Sequence, residues 1–159
     1  MVENMQRIVL AVLSNVLETM FFVTVDPFED EQGKDPSSKK SSNFFKGEIG
    51  FKGKYSGLLT LYLPTELAKT MAINFMGTEE SIVPEAQAMD VVGELCNILC
   101  GNLLSQLDKK TGYVLTTPRT GSSSRQEMEA EVCPSGMAIH FSIEGERARL
   151  CLQLESAVR

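Results

Sequence analysis

A chain of 159 residues that is 43% hydrophobic and 23% charged can fill one apolar core but is short for two, so one domain spanning 1–159 is expected. Its formal net charge of -6, from 15 basic and 21 acidic residues, lacks the clustered Lys and Arg that phosphate-backbone binding requires, which excludes a nucleic-acid partner. No run reaches the roughly 18 apolar residues that span a bilayer, and acidic Glu3 precedes the first apolar run. Neither membrane insertion nor a secretory signal is expected, and the chain reads as cytoplasmic.

From Glu3 to Val23, residues Met5, Ile8, Val9, Val12, Leu13, Val16, Leu17 and Met20 recur at helical spacing and predict a long amphipathic helix. Asp26 to Ser42 turns to Asp, Glu, Gly, Pro, Ser and Lys, the composition of an exposed loop. Two strands follow, Phe44 to Phe51 and Tyr55 to Leu63, joined by a tight turn at Gly53 and Lys54. Pro64 opens a short helix through Phe75 that Gly77 stops, and Thr78 to Val83 leads to Pro84 and a second long helix, Glu85 to Lys109. Tyr113 to Thr117, Gln126 to Cys133, Met137 to Ile143 and Arg147 to Leu154 read as strands, with Ser122 to Ser124 as a polar turn. Of the two aromatics closing the first helix, one of Phe21 and Phe22 is expected in the core and the other at its edge. The four cysteines form no CxxC pair and no ligand spacing, so Cys96, Cys100, Cys133 and Cys151 read as buried reduced thiols.

The second long helix carries the strongest functional signal. At about 100° per residue, Asp90, Glu94, Asn97, Gly101, Ser105 and Asp108 fall within a sector of roughly 80°. Val92, Leu95, Cys96, Leu99, Leu103 and Leu107 take the opposite side. The apolar side needs a sheet or helix to cover it, so the polar side faces outward with a carboxylate and a carboxamide one turn apart. Exposed Asp, Glu and Asn on a helix usually form only a solvated face. Gly101 points further: a mid-helix glycine costs on the order of 1 kcal/mol relative to alanine, which is recovered when another backbone comes close. Packing by a neighbouring loop is the plainer explanation of the same glycine. Glu94 and Asn97 alone make neither a nucleophile nor a tight metal site. A carboxamide can, however, donate one hydrogen bond and accept another, and so hold water in line with a phosphorus atom. A carboxylate can grip a cation on a partner.

The two long helices share a second pattern, Ser14 with Glu18 and Asp90 with Glu94, each pair four residues apart and followed by strands. This points to duplication into half-repeats of about 1–77 and 78–159 related by a pseudo-twofold. Phe21 stands in the first copy where Asn97 stands in the second, so amide chemistry is available once per chain.

The run Asp90-Val91-Val92-Gly93-Glu94-Leu95-Cys96-Asn97, followed by Gly101 and by Pro118 in Leu115-Thr116-Thr117-Pro118, resembles the central-helix motif of the CheC/CheX/FliY chemotaxis phosphatases, and CheX most of all. The resemblance covers nearly the whole chain. It implies an α/β fold of the α+β type, with an antiparallel-rich sheet packed on one side by two long helices. By the same resemblance the partner is a phosphorylated CheY-like response regulator, Asn97 orients the attacking water and Glu94 pairs with the receiver's lysine. Asp90, Gly101 and Pro118 then support the motif. The chain needs no cofactor or metal of its own, because Mg²⁺ is carried by the receiver. Homodimerisation through sheet edges is also implied. The rival reading is a non-catalytic receiver-binding or scaffold module using the same helix face. His140 reads as a sheet residue rather than a catalytic base, and Ser122 to Ser124 lack a nucleophile elbow.

Overall fold

Helix α1 (Val2–Met20) buries Val9, Leu13, Val16 and Leu17, the stripe that its apolar spacing predicts. The computed structural model describes residues 2–27, 43–77, 79, 82–107, 109–110, 112–133 and 136–156, so most of the expected 26–42 loop, and Asp108, lie outside the described residues. The helix stops three residues before Val23 because Phe22 takes a left-handed backbone, φ 57°. This turn sends Phe21 inward to stack on Phe75, ring centroids 4.8 Å apart, while Phe22 is left 68% exposed. Asn74 Nδ2 donates to the Phe21 carbonyl at 2.9 Å and fixes the corner.

Strand β1 (Val25–Pro27) follows, then the hairpin of β2 (Asn43–Lys52) and β3 (Tyr55–Pro64) around the Gly53–Lys54 turn. Pro64 leads into α2 (Thr65–Met76), which Gly77 closes from a left-handed conformation, its N–H donating to Ile73. Helix α3 (Glu85–Leu107) runs next, then β4 (Val114–Leu115), β5 (Arg119–Ser124), α4 (Arg125–Ala130) and the hairpin of β6 (Gly136–Ile143) and β7 (Glu146–Ser156). Among the described residues these strands form one sheet in the order β1-β6-β7-β3-β2-β4, with β5 also on β2, and every pairing is antiparallel. Exchanging the first half (β1, β2, β3) with the second (β4/β5, β6, β7) turns this order into its own reverse.

Phe45, Ile49, Phe51, Leu59, Leu61 and Leu63 point from one sheet face into a core shared with α1, α2 and α3. Each such side chain contributes about 1.5–3 kcal/mol through burial. Opposite them Phe44 and Tyr62 pack under Met128 of α4. The α+β architecture expected from the sequence is therefore the observed one.

Three expectations are corrected. Gln126 to Cys133 is not a strand: Ser124 caps α4 in a capping box with Glu127, and residues 131–133 lie in neither helix nor strand. The serines read as a turn are instead strand β5, whose residues Arg119 to Ser124 pair with Glu48 to Asn43. The cysteine reading is corrected as well. Turning through α4 carries Cys133 back over the outer sheet face, where it forms a disulfide with Cys151 of β7. Only Cys96 and Cys100 are free thiols.

Candidate functional site

The position of α3 over the sheet is set by a missing side chain. A Cβ on Gly47 of β2 would lie 2.5 Å from Cys96 Sγ and 3.0 Å from Val92 Cγ1, so only glycine lets the helix settle this close. Val92, Leu95, Cys96, Leu99 and Leu103 are buried by that contact and Leu107 is half-buried. The reverse side of α3 presents Asp90, Glu94, Gly101 and Ser105 exposed, with Asn97 half-buried among them. Among the described residues none of the side chains of Asp90, Glu94 and Asn97 has a hydrogen-bond or ion-pair partner. Ser105 donates back to the Asn102 carbonyl at 2.9 Å, so its hydroxyl is engaged within the helix.

Pro118 reaches this surface through a break in the sheet edge. Lacking an N–H, proline cannot join the ladder. Both β4 and β5 pair with β2, but Thr116 to Pro118 loop out between them. Thr116 keeps the edge attached: its N–H donates to the Gly50 carbonyl, and its Oγ1 accepts from the Gly50 N–H, both at 2.9 Å. The loop thus stands against α3, where Pro118 Cβ and Thr120 Cγ2 lie 3.5 and 3.4 Å from the place a Cβ on Gly93 would take. Gly93 precedes Glu94 and sits one turn before Asn97, so Pro118 flanks the motif from a distant part of the chain. Thr120 does the same, and no spacing rule singles it out in the sequence.

One turn past Asn97, Gly101 has no described atom within 4 Å of its Cβ position apart from its chain neighbours and its own helix backbone. Loop packing, the plainer explanation of this glycine, is therefore not what it serves among the described residues. A cavity of about 320 Å³ opens beside it, bordered by Leu104, Ser105, Lys109, Tyr113 and Leu115.

The remaining reactive groups are unsuited to chemistry at this surface. Burial, and to a lesser degree the Cys100 and Glu48 charges, pushes the Cys96 thiol up to about 12; burial alone does the same to Cys100. His140 is half-buried, with the Arg147 guanidinium 3.2 Å from its Nδ1, and pairs in register with Arg149, on the sheet face away from α3. Among the described residues, no three His, Cys, Asp or Glu side chains gather as metal ligands. No described helix is long and apolar enough to cross a membrane.

The fold and site thus define an α+β protein whose sheet is layered by long helices, one of which presents on its outward face an exposed carboxylate and a half-buried carboxamide with no side-chain partner among the described residues. Residues 45–142 match the family model described as chemotaxis phosphatase CheX, a span that holds the whole α3 stripe and Pro118, and the chain belongs to that family. No curated protein matches the chain by sequence. Among solved structures it is similar to the chemotaxis protein CheX from Vibrio vulnificus, with 22% identity over 95% of this chain and 96% of that one and a TM-score of 0.70. It is equally similar in fold to CheX from Desulfovibrio desulfuricans, with 19% identity over 96% and 99% of the two chains and a TM-score of 0.70. A third likeness, to the CheX of a CheX-CheY-BeF3-Mg²⁺ complex from Borrelia burgdorferi, has 18% identity over 94% and 96% and a TM-score of 0.65.

Proposed function

We propose that this protein hydrolyses the phosphoaspartate of a CheY-type response regulator, with Asn97 orienting the attacking water. The observation that carries the reading is the outward pair on α3: Glu94 and Asn97 share one helix face and neither spends its side chain on a described neighbour. Membership of a phosphatase family supports it. So does the relative crystallised with CheY, BeF3, a mimic of a phosphoryl group, and Mg²⁺.

The Asn97 carboxamide accepts one hydrogen bond from water and donates another, fixing the water oxygen on the side of phosphorus opposite the receiver's aspartyl oxygen. As the new P–O bond forms, the P–O bond to the aspartate breaks, the carboxylate is regenerated and inorganic phosphate leaves with the water's oxygen. Mg²⁺ and a lysine of the receiver stabilise the charge that develops on the phosphoryl oxygens, so this chain supplies no metal. Glu94 pairs with that lysine and fixes the angle of approach. Orientation is a sufficient source of rate, since each tenfold acceleration lowers the barrier by about 1.4 kcal/mol. Asp90 and Pro118 frame the motif.

The symmetric strand order supports half-repeats of about 1–77 and 78–159 within one domain, of which only the second has the amide; Phe21, its counterpart, is buried. Cytoplasmic placement follows from where receivers work. Homodimerisation through a sheet edge is supported by β1, which covers only Phe141 to Ile143 of β6 and leaves that edge of residues 136–140 without a described strand.

The test is phosphate release from purified receivers charged with acetyl phosphate. Asn97→Ala should lose stimulated hydrolysis while keeping the wild-type melting temperature. Turnover near wild type in that variant removes the mechanism, and a wild-type protein that lengthens the phosphoreceiver's lifetime favours the scaffold reading.

A further inference from the structure

We infer that the cavity beside Gly101 is a specificity pocket for the receiver: it takes an apolar side chain of the same molecule that Asn97 engages, with a carboxylate of that partner meeting Lys109. The inference rests on the phosphatase reading and adds to it the second point at which the partner is held.

Three observations carry it. Gly101 weakens its own helix without serving any described neighbour, since beyond its chain neighbours and own helix backbone no described atom lies within 4 Å of where its Cβ would be. The close approach that would justify the glycine must come from outside. Next, the cavity is continuous with the motif face. Gly101 lies four residues, or about 6 Å of helix rise, past Asn97, and Ser105 the same distance further. A molecule seated on Asn97 thus covers this opening without bending. Finally, the walls select the occupant: Leu104, Leu115 and the Tyr113 ring favour an apolar side chain, and the volume of about 320 Å³ admits an aromatic one. Lys109 at the rim has no ion-pair partner among the described residues, so an acidic residue beside the inserted side chain is matched in charge. The C-terminal part of α3 thereby gains a use distinct from the chemistry at Asn97: it decides which receiver stays docked.

Gly101→Leu fills the cavity from its floor and removes a helix glycine, so the fold is expected to be at least as heat-stable as wild type. Lys109→Glu is a surface change that leaves the core untouched. Both are assayed for phosphate release from acetyl-phosphate-charged receivers, and for affinity toward the same receivers held with BeF3 and Mg²⁺. Gly101→Leu should raise KM and Kd at least tenfold while kcat at saturation stays within threefold. Lys109→Glu should raise KM several-fold at low salt, with the difference shrinking as salt is added. KM and Kd within twofold of wild type in Gly101→Leu overturn the pocket, as does a fall in kcat with KM unchanged. A wild-type protein that hydrolyses no receiver overturns the phosphatase reading and the pocket together, whereas wild-type hydrolysis with an unaltered Gly101→Leu overturns the pocket alone.

Discussion

Cys96 Sγ occupies the space directly above Gly47, 2.5 Å from where a Cβ on that glycine would be. The pair is the joint between the helix that carries the motif and the strand that supports it. Gly47→Ala forces either the thiol or the helix to move, and overpacking of this kind costs typically about 1–3 kcal/mol. A smaller residue above it makes room. Denaturant titrations should show Gly47→Ala clearly destabilised, and the Gly47→Ala/Cys96→Ala double variant less destabilised than the sum of its singles. Strict additivity would mean that the two residues do not share this space.

The two helices offer a matched comparison. Glu94 is exposed beside an exposed-side carboxamide, whereas Glu18 is exposed four residues after half-buried Ser14 and near buried Phe21. Glu94→Ala should weaken receiver affinity about tenfold, or about 1.4 kcal/mol, and lower turnover as well. Glu18→Ala should leave both unchanged. Equal losses in the two variants would show that acidity of the helical face, rather than its pairing with an amide, governs the encounter.

Both helices and the motif were legible because burial writes its period directly into the residues: Val92, Leu95, Cys96, Leu99 and Leu103 recur at helical spacing and are all buried. The hairpin register around Gly53 and the stop at Gly77 were legible for local reasons of the same kind. What failed was local evidence in conflict. Glu127, Met128, Glu129, Ala130 and Glu131 alternate like a strand, and the alternation obscured the Ser124 to Glu127 capping box that decides the matter. Ser122 to Ser124 have little strand propensity of their own; pairing with Asn43 to Phe45 supplies what their side chains do not. The contact of Pro118 and Thr120 with Gly93, and the cavity beside Gly101, depend on distant segments meeting and carry no period at all.

The Cys133–Cys151 bridge makes a countable prediction. Alkylation in denaturant without reductant should label two thiols, Cys96 and Cys100, and four after reduction. A loop closed over a separation of 18 residues stabilises by about 3 kcal/mol through the unfolded chain, so Cys133→Ser should lower stability by an amount of that order. Four labelled thiols before reduction would show that the bridge does not form.

The outer sheet face titrates at both ends of the pH range through one cluster. Tyr62 Oη donates to Glu131, Lys46 Nζ donates to the same carboxylate at 2.9 Å, and buried Arg149 donates to the Glu131 and Met128 carbonyls. Burial by itself raises the Glu131 pKa, but the hydrogen bonds from Tyr62 and Lys46 and the charges of Lys46 and Arg149 outweigh it and hold the carboxyl below its ordinary value of 4.5. Its contribution to stability is therefore complete above pH 4.5 and is lost as the pH falls through the lower folded value. Tyr62 moves the other way: burial first, then the bond to Glu131, raises its phenol above 10.0, so its contribution is complete below pH 10.0 and is lost as the pH rises beyond it. Glu131→Gln removes the acid-side carboxylate and weakens the alkaline shift of Tyr62 in one change. Urea titrations across both limbs should show the variant less stable at neutral pH but with a flatter dependence at each end. A variant as steep as wild type on the acid side would assign that loss to other carboxylates.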